Sequence, residues 1–85
     1  MSHEDICKEL TATYNAKNHD YGDAFSKTVS EFGLVAALVR ISDKYYRLVN
    51  LVKSSDGPMV ADESIRDTLL DMANYCIMTA MEVDK

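Results

Sequence analysis

The chain has 85 residues, of which 47 % are hydrophobic and 27 % charged, a composition typical of one globular domain over residues 1–85. Its 14 acidic and 9 basic side chains leave a formal net charge of −5, which disfavours direct binding to duplex DNA because that ligand usually meets a basic surface. No apolar run approaches the roughly 20 residues of a membrane span, and the acidic residues 1–5 lack the basic start of a signal peptide. We therefore expect a cytoplasmic protein without membrane contact.

The first predicted element is a helix over residues 3–16. Ser2 precedes it and Asp5 stands three positions further on, which is the spacing of a weak capping box. Apolar residues recur every four positions along one face of this helix: Ile6, Leu10 and Tyr14. The following residues, 17–23, are rich in Asn, Asp and Gly, which compete with helical hydrogen bonds or favour turns. We therefore predict a connector there.

Two further helices are predicted in the middle of the chain. A short one covers about residues 23–32. The central helix begins at Leu34 and has the clearest periodicity, with four- and three-residue steps between the residues of one seam: Leu34, Leu38, Ile41, Tyr45, Leu48 and Val52. A second apolar line widens this seam: Val35, Val39 and Val49. This pattern predicts a helix that is contacted on more than one side.

The last helix follows a loop-like stretch over residues 54–62. It is expected to begin near Asp62, which is a good N-cap residue. Its apolar residues share one arc: Ile65, Leu69, Met72, Ala73, Cys76, Ile77 and Ala80. Cys7 and Cys76 are isolated and lie within helices, so they indicate reduced core thiols. Two-residue alternation is absent, and the expected fold is all-α: a small bundle of two long helices with one or two shorter ones.

The last helix also carries an acidic strip. At 100° per residue, Glu63, Asp67, Asp71 and Asn74 fall within an arc of about 80° that borders the apolar face. Neighbouring carboxylates repel each other, and a cation would relieve that repulsion. Oxygen ligands of this kind suit Mg²⁺ or Mn²⁺. The alternative interpretation is a solvated acidic surface whose regular spacing carries no function.

The central helix carries a cationic cluster away from its apolar seam, formed by Arg40, Lys44 and Arg47 around Asp43. Arg guanidinium and Lys ammonium groups are natural contacts for phosphate. The alternative is a set of intrahelical ion pairs, because Asp43 has the right spacing to both arginines. Residues 17–23 form a third candidate, since their polar side chains could close over a ligand while Tyr21 stacks on a base. That segment could equally be only a turn.

Several segments, taken together, resemble a known family. They are Lys17-Asn18-x-Asp20-Tyr21-Gly22-x-x-Phe25, Phe32-Gly33, Arg40-Ile41-x-Asp43-Lys44-x-x-Arg47-Leu48 and Glu63-Ser64-x-x-Asp67-Thr68-Leu69-Leu70-Asp71-x-Ala73-Asn74-Tyr75. Over about residues 10–82 the chain resembles the small helical nucleotide modification associated domain of phages and bacteria. That family is similar, more distantly, to the MazG-like and dimeric dUTPase group of all-α nucleoside triphosphate pyrophosphohydrolases.

The resemblance implies a Mg²⁺- or Mn²⁺-dependent nucleotide pyrophosphohydrolase of a bacterial or phage-infected cell, linked to nucleotide or DNA modification. The catalytic and metal-binding residues would be Glu63, Asp67 and Asp71. The phosphate-binding residues would be Arg40, Lys44 and Arg47. The residues that contact base or sugar would be Asn18, Asp20, Tyr21 and Asn74. Asp43 would add a carboxylate or orient Arg47.

Two other functions stay open at this point. One is a non-catalytic nucleotide-binding or assembly module of a phage DNA-modification pathway. The other is a purely structural bundle. Under any of them we expect a homodimer or higher oligomer, because so small a bundle lacks the helices to cover a second apolar face: Val35, Val39, Tyr46 and Val49. The resemblance to dimeric pyrophosphohydrolases implies the same.

Overall fold

The computed structural model of the protein describes residues 1–57, 59 and 64–85. Four helices follow one another along the chain: α1 (His3–Tyr21), α2 (Ala24–Phe32), α3 (Leu34–Lys53) and α4 (Ile65–Val83). The described residues contain no β-strand, so the prediction of a small all-α bundle is confirmed. In the same residues, no helix combines the length and the apolar character needed to cross a membrane.

Helix α1 begins as its sequence predicts but ends later. The Oγ of Ser2 accepts a hydrogen bond from the backbone N–H of Asp5, and the carboxylate of Asp5 accepts one from the N–H of Ser2, both at 3.1 Å. This confirms the capping box. The predicted connector over residues 17–23 is wrong for residues 17–21, because the helix continues to Tyr21, and only Gly22 and Asp23 form a turn. Asn and Asp lower helix stability only weakly, so a capped and packed helix can run through them to a left-handed residue.

Left-handed residues make the two tight turns of the first half. Gly22 (φ 56°) and Asp23 (φ 60°) reverse the chain between α1 and α2, and the N–H of Gly22 donates to the carbonyl of Asn18 at 2.8 Å. Gly33 (φ 85°) alone joins α2 to α3, with its N–H on the carbonyl of Val29 at 2.7 Å. Glycine adopts these angles without the steric cost that a Cβ brings.

Helix α4 begins slightly later than predicted. Its N-cap is Ser64, whose Oγ accepts a hydrogen bond from the N–H of Asp67 at 3.0 Å. The predicted cap, Asp62, lies outside the described residues. Thr68 follows in the first turns and is buried, and its hydroxyl donates to the carbonyl of Ser64 at 2.9 Å. A buried hydroxyl satisfied within its own helix is compatible with a core position.

The core is thin and lies mainly where α3 packs against α4, with α2 on α3 and α1 on α4. Among the described residues, those classed as buried are Leu10, Val29, Ala37 and Thr68. An exposed ion pair ties α1 to α4, because the guanidinium of Arg66 donates to both carboxylate oxygens of Glu9 at 2.9 and 2.6 Å. A bidentate pair of this kind adds orientation as well as attraction.

The predicted seam of α3 is largely not buried within the chain. Half or more of the surface of four of its six residues is exposed: Leu34, Leu38, Tyr45 and Val52. The side that packs inward is centred on the fully buried Ala37, with half-buried Ile41 and Leu48 beside it. At 100° per residue, this side is rotated by about 60° from the middle of the predicted seam. The small side chain of Ala37 suits a close approach of helices.

Both cysteines are free and exposed. The prediction that they are core thiols is therefore wrong, although each lies in a helix as expected. Cys7 faces His3 one turn earlier, with 3.7 Å between Sγ and Nδ1, and Cys76 lies on an exposed side of α4. The reason is the thinness of the core. A helix of so small a bundle buries only the stripe that faces its neighbours, so apolar positions beside that stripe stay in contact with water.

Candidate functional site

All four helices line one open cavity of about 400 Å³. This volume lies within the range of small-molecule pockets. Its walls include residues from every helix: Tyr14, Lys17, Asn18, Tyr21, Ala24, Phe25, Thr28, Ala36, Arg40, Lys44, Asp71, Asn74, Tyr75 and Met78. Six residues that the sequence singles out are thus brought together: Asn18, Tyr21, Arg40, Lys44, Asp71 and Asn74.

Helical spacing explains how each helix presents its residues to the cavity. On α1, positions 14, 17, 18 and 21 share one side, and on α4 positions 71, 74, 75 and 78 do the same. On α3, Ala36, Arg40 and Lys44 follow each other at intervals of four residues. The small Ala36 leaves space below the two long cationic side chains. Each of these three helices therefore turns one stripe toward the cavity, and α2 adds Ala24, Phe25 and Thr28.

Asp71 is the carboxylate of the cavity and lies between two lysines. Its Oδ1 is 3.4 Å from Nζ of Lys17 on α1, and its Oδ2 is 3.3 Å from Nζ of Lys44 on α3. The side chain of Lys44 is 18 % exposed, against 59 % for Lys17 and 32 % for Asp71. Contacts at low exposure are less screened by solvent. Asp71 thus holds two ammonium groups from different helices at one place.

The charge of the cavity is opposite to that of the whole protein. In the described part of the lining, three cations, Lys17, Arg40 and Lys44, accompany one carboxylate, Asp71, which leaves a formal surplus of two positive charges in a chain of net charge −5. Arg40 is exposed, and its guanidinium makes no hydrogen bond or ion pair with the rest of the described chain. An anion is the ligand that such a surplus attracts.

Aromatic side chains also line the cavity. The rings of Phe25 and Tyr75 are tilted by 53° with centroids 5.7 Å apart, a favourable aromatic arrangement. Tyr14 and Tyr21 of α1 also line the cavity, and Tyr21 is 71 % exposed. Flat apolar faces next to cationic groups suit a ligand with a planar ring and a charged tail.

Asn74 contributes to packing as well as to the cavity. Its side-chain amide donates to the backbone carbonyl of Leu10 at 3.1 Å, which joins α4 to α1 beside the buried Leu10 side chain. This contact orients the two helices that carry Lys17 and Asp71. The residue therefore lines the site and also holds its walls together.

Several predicted site residues do not line the cavity. Asp20 is exposed and lies 3.3 Å from the ring of its neighbour His19. Asp43 and Arg47 are exposed positions of α3 outside the lining. Asp67 is exposed in the first turn of α4, one turn before Asp71. Glu63 lies outside the described residues.

Of the three carboxylates predicted to bind a metal ion, the structure describes Asp67 and Asp71. In this part of the chain, no group of three or more His, Cys, Asp or Glu side chains is arranged to hold a metal ion. Asp71, the acid in the cavity, already contacts two ammonium groups. A hard divalent cation prefers several oxygen ligands. Because Glu63 lies outside the described residues, the Mg²⁺ or Mn²⁺ site at Glu63, Asp67 and Asp71 stays a prediction.

A family model described as nucleotide modification associated domain 1 matches residues 17–83. The match spans most of the chain and includes every residue lining the cavity except Tyr14. The chain belongs to this family. No curated protein and no solved structure matches it. The family name links this nucleotide modification associated domain to nucleotide-related function without stating a reaction.

Sequence reasoning missed several lining residues of the nucleotide modification associated domain, above all Lys17, Phe25 and Tyr75 as ligand contacts. The error at the end of α1 hid Lys17. Had the helix been extended to Tyr21, Tyr14 and Lys17 would have fallen on one face with Asn18 and Tyr21. Phe25 and Tyr75 both belong to the segments that resemble the family, but their spacing along the chain does not indicate that the two side chains, on α2 and α4, are in contact.

Proposed function

We propose that this nucleotide modification associated domain binds a nucleotide in the four-helix cavity. The observation that carries this proposal is the meeting of three cationic side chains and an aromatic wall in one cavity of about 400 Å³. Phosphate would contact the side with Lys17, Arg40 and Lys44. The base would lie against the aromatic side.

The cations have distinct tasks in this proposal. Lys44 is the least exposed of the ion-paired lysines near the site, so its attraction for a phosphate oxygen is screened least. Arg40 offers a planar guanidinium with several donors, which matches the geometry of a phosphate group. Asp71 orients the two lysines without contributing to the attraction, because its charge has the same sign as phosphate.

Base and sugar would be held by the remaining walls. Tyr21 is exposed at the rim, where a ring can stack on a base that enters from solvent. Asn18 and Asn74 carry amide groups that can donate and accept hydrogen bonds. The Asn74 amide nitrogen donates one of its two hydrogens to the carbonyl of Leu10, so the ligand could meet its second N–H and its oxygen.

Isothermal titration calorimetry tests the proposal with nucleotides and their uncharged nucleosides. Nucleotides should bind more tightly than nucleosides, and Lys44→Gln should weaken nucleotide binding by about 10- to 100-fold, because it removes one charge-assisted contact. Lys53→Gln is the matched control, since Lys53 lies on the same helix but outside the cavity. Equal affinity for nucleotides and nucleosides would contradict the assignment of the cationic side.

Hydrolysis of the nucleotide, which the resemblance to MazG-like pyrophosphohydrolases implies, is a second proposal. It is favoured by the position of Asp67 one turn before the cavity residue Asp71 on the same helix. Release of pyrophosphate or phosphate from nucleoside triphosphates, measured with and without Mg²⁺, tests it. Asp67→Asn should abolish release, whereas Asp56→Asn, which alters an exposed acid outside the lining, should not. If no triphosphate releases pyrophosphate or phosphate, the hydrolysis proposal is contradicted and the binding proposal is unaffected.

A further inference from the structure

If the protein binds a nucleotide as proposed, the charge of the cavity indicates how many phosphate groups that nucleotide carries. Among the residues that the structure describes, the lining has three cations and one carboxylate, a formal surplus of two positive charges. A phosphate monoester carries about −1.5 to −2 charges at pH 7. A triphosphate carries about two more negative charges than a phosphate monoester. The cations of this lining would not neutralise those additional charges. The surplus therefore matches one phosphate group.

The contacts of Asp71 indicate how that phosphate would be neutralised. When acids line a phosphate site, a divalent metal usually bridges them to the phosphate oxygens. Here the two oxygens of Asp71 are 3.4 and 3.3 Å from the ammonium groups of Lys17 and Lys44. A metal ion at this carboxylate would have to displace two cations or lie against them, and like charges repel at that distance.

We propose that the ligand of the cavity is a nucleoside monophosphate bound without a divalent metal, with the ammonium groups of Lys17 and Lys44 in the place of the cation. Arg40 supplies the third positive group, on the exposed side of the site. The volume of about 400 Å³ is near the lower end of the range for small-molecule pockets, which suits a ligand of mononucleotide size.

Calorimetry on the full chain separates this proposal from the one on which it rests. The probes are the four deoxynucleoside monophosphates and the four triphosphates, each in EDTA and in millimolar MgCl₂. In EDTA, the best monophosphate should bind at least about tenfold more tightly than its triphosphate, and Mg²⁺ should change its affinity by less than about twofold. Tighter binding of triphosphates that requires Mg²⁺ would overturn the inference and leave nucleotide binding intact. Absence of binding by every nucleotide would contradict both.

Asp71→Asn provides a second test in which the two interpretations predict opposite changes. If lysines replace the metal, loss of the carboxylate charge removes a repulsion of phosphate, while the Asn oxygen can still accept a hydrogen bond from a lysine, so monophosphate affinity should increase. If Asp71 binds a metal, its loss should weaken binding by more than about tenfold, which would overturn the inference. Helical circular dichroism shows whether the variant is folded. If it is not, the EDTA comparison on the unaltered protein still decides.

Discussion

The two sides of α3 differ in burial, and the difference is the reverse of what their hydrophobicity predicts. Toward α4 and the cavity, α3 presents Ala37 with no exposure and the charged Lys44 with a side chain only 18 % exposed. Its outer face is apolar and open to solvent: Leu34, Val35, Leu38, Val39, Tyr45, Tyr46 and Val52, each 50 % exposed or more. The more apolar side of the helix is thus the less buried one. One side packs on α4 and lines the cavity, and the other has no covering element among the described residues.

The size of the outer face favours a second copy of the chain as its cover. Helix α3 has 20 residues and is about 30 Å long. Its solvent-accessible surface is roughly 14 Å across, because a water radius of about 1.4 Å is added on each side of a diameter of about 11 Å, so an arc of about 140° is about 17 Å wide. This amounts to about 500 Å² per copy, or about 1,000 Å² when two copies meet across a twofold axis, the lower limit for a specific interface. Of the four residues predicted for such a contact, Val35, Val39 and Tyr46 are exposed, and Val49 is half-buried.

The largest expected effect is therefore on assembly. Light scattering should give at least twice the chain mass of 9.5 kDa, and Val39→Glu should reduce it toward the monomer because it places a charge in an apolar contact. Asn15→Glu, on an exposed position of α1, is the control for added charge. The neighbouring variant Arg40→Gln should keep the mass and lose nucleotide affinity, which separates the two sides of α3. A mass of 9.5 kDa for the unaltered protein would contradict this prediction.

The next largest expected effect is on stability and concerns Ala37, on the packed side of α3. Ala37 has no exposed surface where the helices pack, so Ala37→Leu should overpack the contact and lower the free energy of unfolding by about 1–3 kcal/mol. Urea denaturation followed by circular dichroism measures this. Ala12→Leu, at an exposed position of α1, should change stability by less than about 0.5 kcal/mol. Equal effects of the two variants would show that α3 does not pack closely at Ala37.

The smallest effect concerns the ion pair that holds α1, and with it Lys17, against α4. The hydrogen bond from Arg66 holds the pKa of Glu9 below its ordinary value of 4.5. The pair should therefore contribute stability above about pH 4.5 and lose it as the pH falls through the lowered pKa, because the folded state releases the proton more readily than the unfolded state. The Tm difference between the protein and Glu9→Gln, measured from pH 7 to pH 3, should disappear at the acid end. A difference that is constant over this range would contradict the ion-pair explanation.

Much of the candidate site could be predicted from the sequence. Arg40 and Lys44 stand one turn apart on a strongly periodic helix, so their common side could be predicted without a neighbour. Asp71 and Asn74 follow by the same rule on α4. Lys17 could not be assigned to the site, because local composition suggested a connector where the helix in fact continues to Tyr21. Propensity is a weak prior that packing and capping can overcome.

The sequence by itself determined the all-α class, the capping box at Ser2 and Asp5, the extent of α3 and the stripes along each helix, because these depend on interactions between residues a few positions apart. Only the tertiary structure decided which stripe faces which. The apolar residues of α3 exceed what its packing partners α4 and α2 bury, so periodicity could not show that Leu38 would stay exposed while Lys44 turned inward. The pairing of Lys17 and Lys44 on Asp71 joins residues 54 and 27 positions apart, and contacts over such separations depend on how whole helices pack, which spacing along the chain does not encode.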